Sequence, residues 1–352
     1  MKTCNKIIAG LWLPIASTLL LPLAASAAGE GACDRACLEG YVDKYFAAVI
    51  DNDPARIPLA PDVRFTENGQ KLTIGDGLWN TMKAIGPYRL FVTDPEAGQV
   101  ALFTTIEEDH REPDKGTPAL MALRLKIENA QVTQIEQFIV RNEDAAKRVA
   151  AMGQPHAVYL EAIPEAERMS RADLVKTANY YFAGIQQNDG KGLDGTGTYP
   201  FTDDCDRYEN GSRSTNAPTP AGETEPDPKT ASVYSGQWSC LEQFQSGLIH
   251  FVNRVRDRRF VAVDRERGIV FAFGFFDHSG GASRTFQTPD GRTVTAGPVQ
   301  PWTWQLAELF KIEKGKIRRI EAILERSPYG MNAGWSSWED GMSDRPRDVT
   351  ME

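Results

Sequence analysis

The sequence carries no phosphate-binding glycine loop, no dinucleotide fingerprint, no HExxH element and no serine, histidine and aspartate in a hydrolase order. Nucleotide-dependent, zinc-protease and serine-hydrolase chemistry are therefore not expected. Neither is any cofactor or metal, so chemistry in this chain would be run by side chains alone. Basic patches are missing too. The 48 Asp and Glu outnumber the 39 Lys and Arg, for a net charge of −9. No stripe or tail runs against that balance, so nucleic acid and anionic membrane are poor partners. Cysteine is sparse, at 5 in 352 residues, and lacks the paired CxxC spacing of a zinc site.

What is present begins with a leader pattern. Lys2 and Lys6 precede an apolar run from Ile7 to Leu23, and Ala25-Ser26-Ala27 supplies small residues for cleavage. Residues 1–27 thus read as a signal peptide, with the periplasm or the cell exterior as destination. Pro14 and Pro22 interrupt the run, which argues against a stable membrane anchor. Cleavage would remove Cys4 and leave Cys33, Cys37, Cys205 and Cys240, an even number suited to disulfides in an exported chain. Three pairings are open. The one that keeps each bond within one half of the chain is Cys33–Cys37 with Cys205–Cys240.

The chain then repeats itself. "LKIENAQVTQIEQFIVR" (Leu125–Arg141) returns as "FKIEKGKIRRIEAILER" (Phe310–Arg326), and "YVDKYFAAVIDND" (from Tyr41) as "TANYYFAGIQQND" (from Thr177). "FTENG" (from Phe65) parallels "RYENG" (from Arg207), and "DPEAGQV" (from Asp94) parallels "DRERGIV" (from Asp264). Four blocks in the same order indicate two copies of one domain. Each copy opens with a helix: Leu38, Tyr41, Val42, Tyr45, Phe46 and Val49 fall on a 3.6 spacing. Strands follow, in the first copy over Tyr88–Thr93, Gln99–Glu107, Ala119–Glu128 and Gln131–Val140, the last pair joined by a hairpin turn. Helices followed by a meander of long strands predict an α+β fold with one curved antiparallel sheet per copy. The expected layout is a first domain over residues 28–141, a partly helical linker over 142–171, a second domain over 172–330 and a tail over 331–352. The second domain includes an inserted loop at 212–236.

A helix, an ENG element and a long-stranded meander ending in KIExxxIxxIE resemble the nuclear-transport-factor-2-like, or SnoaL-like, superfamily, in a secreted branch of unassigned function. The resemblance spans nearly all of the chain after the leader, as two copies. It implies cone-shaped domains with helices packed on a curved sheet, and a cavity opening at one end. It also implies a choice between cofactorless lyases or isomerases and binding-only modules, since fold alone does not settle function. Some superfamily members release formaldehyde from lignin-type aromatic dimers, and two copies in one chain could pair as an intramolecular pseudo-dimer.

The second copy holds more reactive side chains. His250 and Arg254 read as neighbours on a helix through "GLIHFVNRVRD". Asp277 and His278 end the strand "GIVFAFGFFDH", where alternation places His278 with Phe276 and Asp277 on the other face. Trp302, Trp304, Leu306 and Glu308 share one face of the next strand, an aromatic wall with a carboxylate. Tyr208 and Glu209 sit in "DDCDRYENG", read as a short acidic loop beside a glycosylation sequon at Asn210-Gly211-Ser212. The expected catalytic set is His250, His278, Asp277, Tyr208, Glu209 and Arg254, with Trp302, Trp304, Phe276, Tyr181 and Glu308 around a small apolar, aromatic ligand. The first copy is leaner: it offers Tyr45, Glu67, Asn68, Trp79, Tyr88, Arg89 and Glu107, and His110 in the loop "EEDHREPDKG" reads as solvent-facing. Its ENG element reads as a tight turn, and Glu136 and Glu321 of the repeated hairpin are expected to face solvent or cap the hairpin.

Overall fold

The computed structural model describes Met1, residues 33–109 and residues 116–348. Apart from Met1, the leader lies outside the described residues, as does His110. From Cys33 onward the chain forms one compact unit.

The first half opens with α1 (Arg35–Ile50), capped by the Asp34 side chain accepting from the Cys37 N–H. It buries Leu38, Tyr41, Val42, Tyr45, Phe46 and Val49. Then come β1 (Leu59–Glu67), β2 (Gln70–Lys71), β3 (Met82–Asp94), β4 (Gln99–Glu108), β5 (Thr117–Glu128) and β6 (Gln131–Val140), in the spatial order β2-β1-β6-β5-β4-β3. After α2 (Glu143–Met152), the second half opens with α3 (Arg171–Gln187), followed by β7 (Phe201–Glu209), β8 (Ser212–Arg213) and α4 (Cys240–Gln245). β9 (Arg254–Asp264), β10 (Ile269–His278), a small hairpin of β11 (Thr285–Gln287) and β12 (Thr293–Thr295), β13 (Trp302–Glu313) and β14 (Lys316–Ser327) complete it. The tail adds α5 (Trp338–Gly341) and β15 (Arg347–Asp348). The second sheet runs β15-β9-β10-β13-β14-β7-β8, which without β15 is the order of the first sheet. The fold is α+β, two cone-shaped domains in tandem, each with its helix packed on a curved sheet.

Local chemistry explains the two repeated turns. Asn129 and Ala130, like Lys314 and Gly315, have positive φ, the backbone that a two-residue hairpin needs to match strand twist. In the ENG elements, Asn68 and Asn210 (φ 49° and 48°) precede Gly69 and Gly211 (φ 76° and 75°). Asn68 Nδ2 donates to the Ile139 carbonyl at 3.0 Å, and its Oδ1 accepts from the Ile139 N–H at 2.6 Å. Asn210 does the same with Leu324, at 2.8 and 3.0 Å. The side-chain amide thus continues the parallel ladder between β1 and β6, or β7 and β14, for one more residue after the backbone has turned away.

Both expected disulfides form, Cys33–Cys37 and Cys205–Cys240. No helix among the described residues is long and apolar enough to cross a membrane.

One face of each sheet contributes to a shared apolar core, which joins Leu90, Phe103, Ala122 and Phe138 to Val261, Phe271, Leu309 and Ile323. The Phe103 and Phe271 rings meet at 5.0 Å. Contrary to expectation, Glu136 and Glu321 do not face water. Glu136 takes two hydrogen bonds from Arg259 of the other half, at 2.7 and 2.9 Å, and Glu321 accepts from Tyr88 at 2.5 Å. The alternation of β6 and β14 turns these glutamates away from their own cones, and what lies on that side is the other domain. The tail crosses back over the first half, where Trp335 Nε1 donates to Thr66 at 2.8 Å and Arg64 stacks on the indole.

Candidate functional site

The inner face of the second sheet is written by alternation. β13 points Trp304, Leu306, Glu308 and Phe310 inward, β10 points Ala272 and Phe276, β14 points Ile320 and Leu324, and α3 lays Tyr181 and Phe182 across them. Register places Glu308 opposite Ala322, and Ala322 opposite Glu209 of β7. Two carboxylates thus share one row across the sheet with a single small residue between them.

Glu308 is 1 % exposed, and its Oε2 has no hydrogen-bond partner. Burial pushes its carboxyl up to about 8; nearby Glu209 adds to that rise, while Arg207 and Tyr181 hold it back. At neutral pH it is a carboxylic acid, a proton donor in an apolar cone. The Arg207 guanidinium lies beside it, donating to the Tyr181 hydroxyl at 3.3 Å, to Gln243 Oε1 at 2.7 Å and to Ser214 Oγ at 2.9 Å. It also pairs with Glu209 at 3.2 Å. Burial drives the Tyr181 hydroxyl well above its ordinary value, so it stays protonated. An acid, a cation, a phenol and a paired carboxylate therefore converge at the cone floor.

The histidines lie elsewhere. His278 is fully buried at the far end of β10, stacked on Trp302 at 4.0 Å and edge-on to Trp304 at 4.8 Å, and neither ring nitrogen is hydrogen-bonded. Burial pulls its imidazole down to about 4, so it is neutral. It pairs across the sheet with Trp302, six residues along β13 from Glu308, roughly 20 Å at the usual strand rise. Asp277 points to the opposite face, where Arg254 at 2.6 Å, Arg256 at 2.8 Å and Thr303 at 2.7 Å satisfy it. His250 and Arg254 share no helix. Gly247, at φ +70°, follows the end of α4, His250 lies in a turn with its ring 5.2 Å from Phe286, and Arg254 already belongs to β9. The apolar run that suggested a helix is a turn leading into a buried strand, two states that periodicity alone does not separate. The acidic "loop" is likewise strand β7, so Tyr208 faces away from Arg207 and Glu209 and lies under the Arg319 guanidinium at 4.3 Å.

Two residues of the floor, Arg207 and Gln243, were not among the expected site residues. The available signal was comparison of the copies: Arg207 stands where the first copy has Phe65, Glu308 where it has Leu123, and Ala322 where it has Gln137. In the first cone Glu67 and Gln137 are held by their neighbours, while Trp79 Nε1 is buried without a hydrogen-bond partner. Tyr45 donates to Gln137 at 2.6 Å, and Gln137 donates to Glu67 at 2.9 Å. Glu67 also takes the Leu78 N–H at 2.7 Å and pairs with Arg141, which clamps Glu108 as well.

The insertion packs on the second half through Tyr234. Tyr234 packs against Phe251 and the cone's apolar residues, and Trp238 anchors a small separate core with Leu248, Phe286 and Val294. Just before β7, Gly190, Gly192 and Gly195 have dinucleotide-like spacing. They follow a helix and lead to a strand, the reverse of the order such a site requires. Among the described residues, no group of three or more His, Cys, Asp or Glu is placed to hold a metal.

Glu308, Arg207 and Tyr181 thus form a buried polar cluster against the apolar side chains on the inner face of the second sheet. The chain belongs to the family of the domain of unknown function DUF8021, whose model matches residues 32–139 and 167–324. Among solved structures, AclR from Streptomyces galilaeus is similar at 15% identity over 38% of this chain and 92% of that one, with a TM-score of 0.26. An NTF2-like protein from Burkholderia thailandensis is similar at 17% identity over 31% and 94%, TM-score 0.24. A de novo designed protein with a curved β-sheet is similar at 16% over 45% and 88%, TM-score 0.25. No curated protein matches the chain.

Proposed function

We propose that this protein is an exported, cofactor-independent lyase or isomerase that moves protons on a small, uncharged, aromatic compound held in the second cone. The observation that carries this reading is Glu308: a buried carboxyl without a partner at Oε2, beside Arg207 and Tyr181. A neutral acid next to an ion-paired carboxylate supplies the two opposed roles that acid–base catalysis needs. Glu209 takes a proton from a hydroxyl or an activated carbon of the substrate. Glu308 delivers one to the oxygen where charge develops, and Arg207 and Tyr181 stabilise that charge. Electrons stay within the substrate, so no redox partner is required. Formaldehyde release from lignin-type aromatic dimers is the narrower member of this class, and it rests on the superfamily resemblance alone. His250, His278, Asp277, Tyr208 and Arg254 have no part in this chemistry. The tryptophans and Phe276 line the walls, and the first domain serves as scaffold within an intramolecular pseudo-dimer. Export is supported by the leader pattern together with two disulfides.

Incubation of the mature protein with a panel of aromatic and sugar-derived compounds, read by mass change, tests the reading. A compound turned over by the wild type and left intact by Glu308→Gln supports it. A ligand that binds and is recovered unaltered after long incubation favours the second reading, a binding module, which the leaner first copy also suits.

A further inference from the structure

The insertion has no counterpart in the first copy, and two side chains, Gln243 and Ser214, join it to the cone floor. Gln243, on α4, is completely buried. Its Nε2 donates to the carbonyls of Ser214 and Ser235, at 2.7 and 2.8 Å, which lie near the two ends of the inserted loop. Its Oε1 accepts from Arg207 Nη2 at 2.7 Å. The insertion also supplies Ser214, whose hydroxyl accepts from Arg207 Nε. The Cys205–Cys240 bond fixes α4 to β7 two residues before Arg207 and three before Gln243. In the first copy none of this is needed, because Phe65 replaces the arginine.

We propose that Gln243 is a positioning residue: through it the disulfide-tied insertion seats the Arg207 guanidinium against Tyr181 at the floor of the second cone. This rests on the acid–base reading of that floor and assigns the inserted loop a role in it. A guanidinium has five N–H donors in a fixed plane, so its place is set by the acceptors that surround it. Gln243 and Ser214 take two of its three nitrogens and leave the third for the Tyr181 hydroxyl. Without the amide acceptor, the guanidinium swings toward Glu209 and away from Glu308. The charged and titratable groups facing Glu308 are Arg207 and Glu209 from β7 and Tyr181 from α3, with Tyr234 of the insertion coupled to the first two. Of these, Arg207 is the one that favours the ionised acid by charge.

The test is a titration of Glu308 in the full mature chain, followed by carbon-13 NMR of labelled glutamate side chains and assigned by the signal lost in Glu308→Gln. Gln243→Met keeps the volume and removes the acceptor. The expected result is an upward displacement of the Glu308 midpoint by about half a pH unit or more. Ser214→Ala should shift it in the same direction by less, and carries the test should Gln243→Met not fold. A midpoint unchanged in the folded variant overturns the proposal. The titration needs no substrate. Were Glu308→Gln to prove as active as wild type, the catalytic reading would fail while the positioning result stood or fell separately.

Discussion

Arg35 Nη1 lies 2.8 Å from Asp264 Oδ2, and the same guanidinium holds Glu266. Arg35 opens the first helix of the first half, while the two acids sit at the turn between β9 and β10 of the second. The relationship is reciprocal: Arg171 opens the first helix of the second half and holds Asp94 at 2.5 Å and Glu96 at 3.3 Å, at the turn between β3 and β4. Two equivalent clasps thus cross between the halves.

Breaking a clasp should therefore loosen the junction rather than either cone. Asp264 is 1 % exposed, so Arg35→Ala strands a buried carboxylate and is expected to cost about 2–4 kcal/mol. Urea unfolding checks this, and Arg35→Ala with Arg171→Ala should produce early separation of the halves, seen as a second transition. A single transition with unchanged midpoint would show that the apolar junction suffices.

Glu308 makes stability depend on pH in a defined direction. Its folded value of about 8 lies above the ordinary 4.5, so the folded chain retains a proton that the unfolded chain releases. Stability from this group is complete below pH 4.5 and falls as pH rises towards about 8. Glu308→Gln removes the dependence. The variant is expected to be more stable than wild type at pH 9, by roughly 1–3 kcal/mol, while losing turnover. Thermal melts at pH 5 and pH 9 on both proteins decide it.

His278 acts at the other end of the scale. Its folded value of about 4 lies below the ordinary 6.5, so protonation favours the unfolded chain. Stability from this group is present above pH 6.5 and is lost as pH falls towards 4. His278→Phe, which keeps a ring against Trp302, should flatten the acid limb between those values. An acid limb as steep as that of wild type would place the titrating group elsewhere.

Asn210 bonds both backbone groups of Leu324. Asn210→Ala leaves an N–H and a carbonyl without those partners and is expected to cost about 1–3 kcal/mol. Faster amide exchange at Leu324 is the local readout. Asn68→Ala should behave alike at Ile139, and a stability loss without that local exchange would contradict the ladder-extending role.

The helices, the strand meander and the closing hairpins were legible because hydrophobic period is local: Tyr45 and Tyr181, or Ile135 and Ile320, are buried wherever the pattern alone would bury them. His250 was misread because an apolar run of that length suits a helix or a turn leading into a strand, and the positive φ of Gly247, where a Cβ would meet Pro289, is not legible in periodicity. Glu136 and Glu321 were misread because alternation reports which face a residue takes, not what covers that face.

The sequence by itself determined the duplicated α+β architecture, the disulfide inventory and the face on which Glu308 stands, since each follows from spacing along one strand or from a count. Only the tertiary structure decided that Glu308 meets Arg207, Tyr181 and Gln243, and that the repeated glutamates bind the opposite half. Those contacts join residues far apart in sequence, and their energies come from burial that exists only after the sheets have curved and closed on each other.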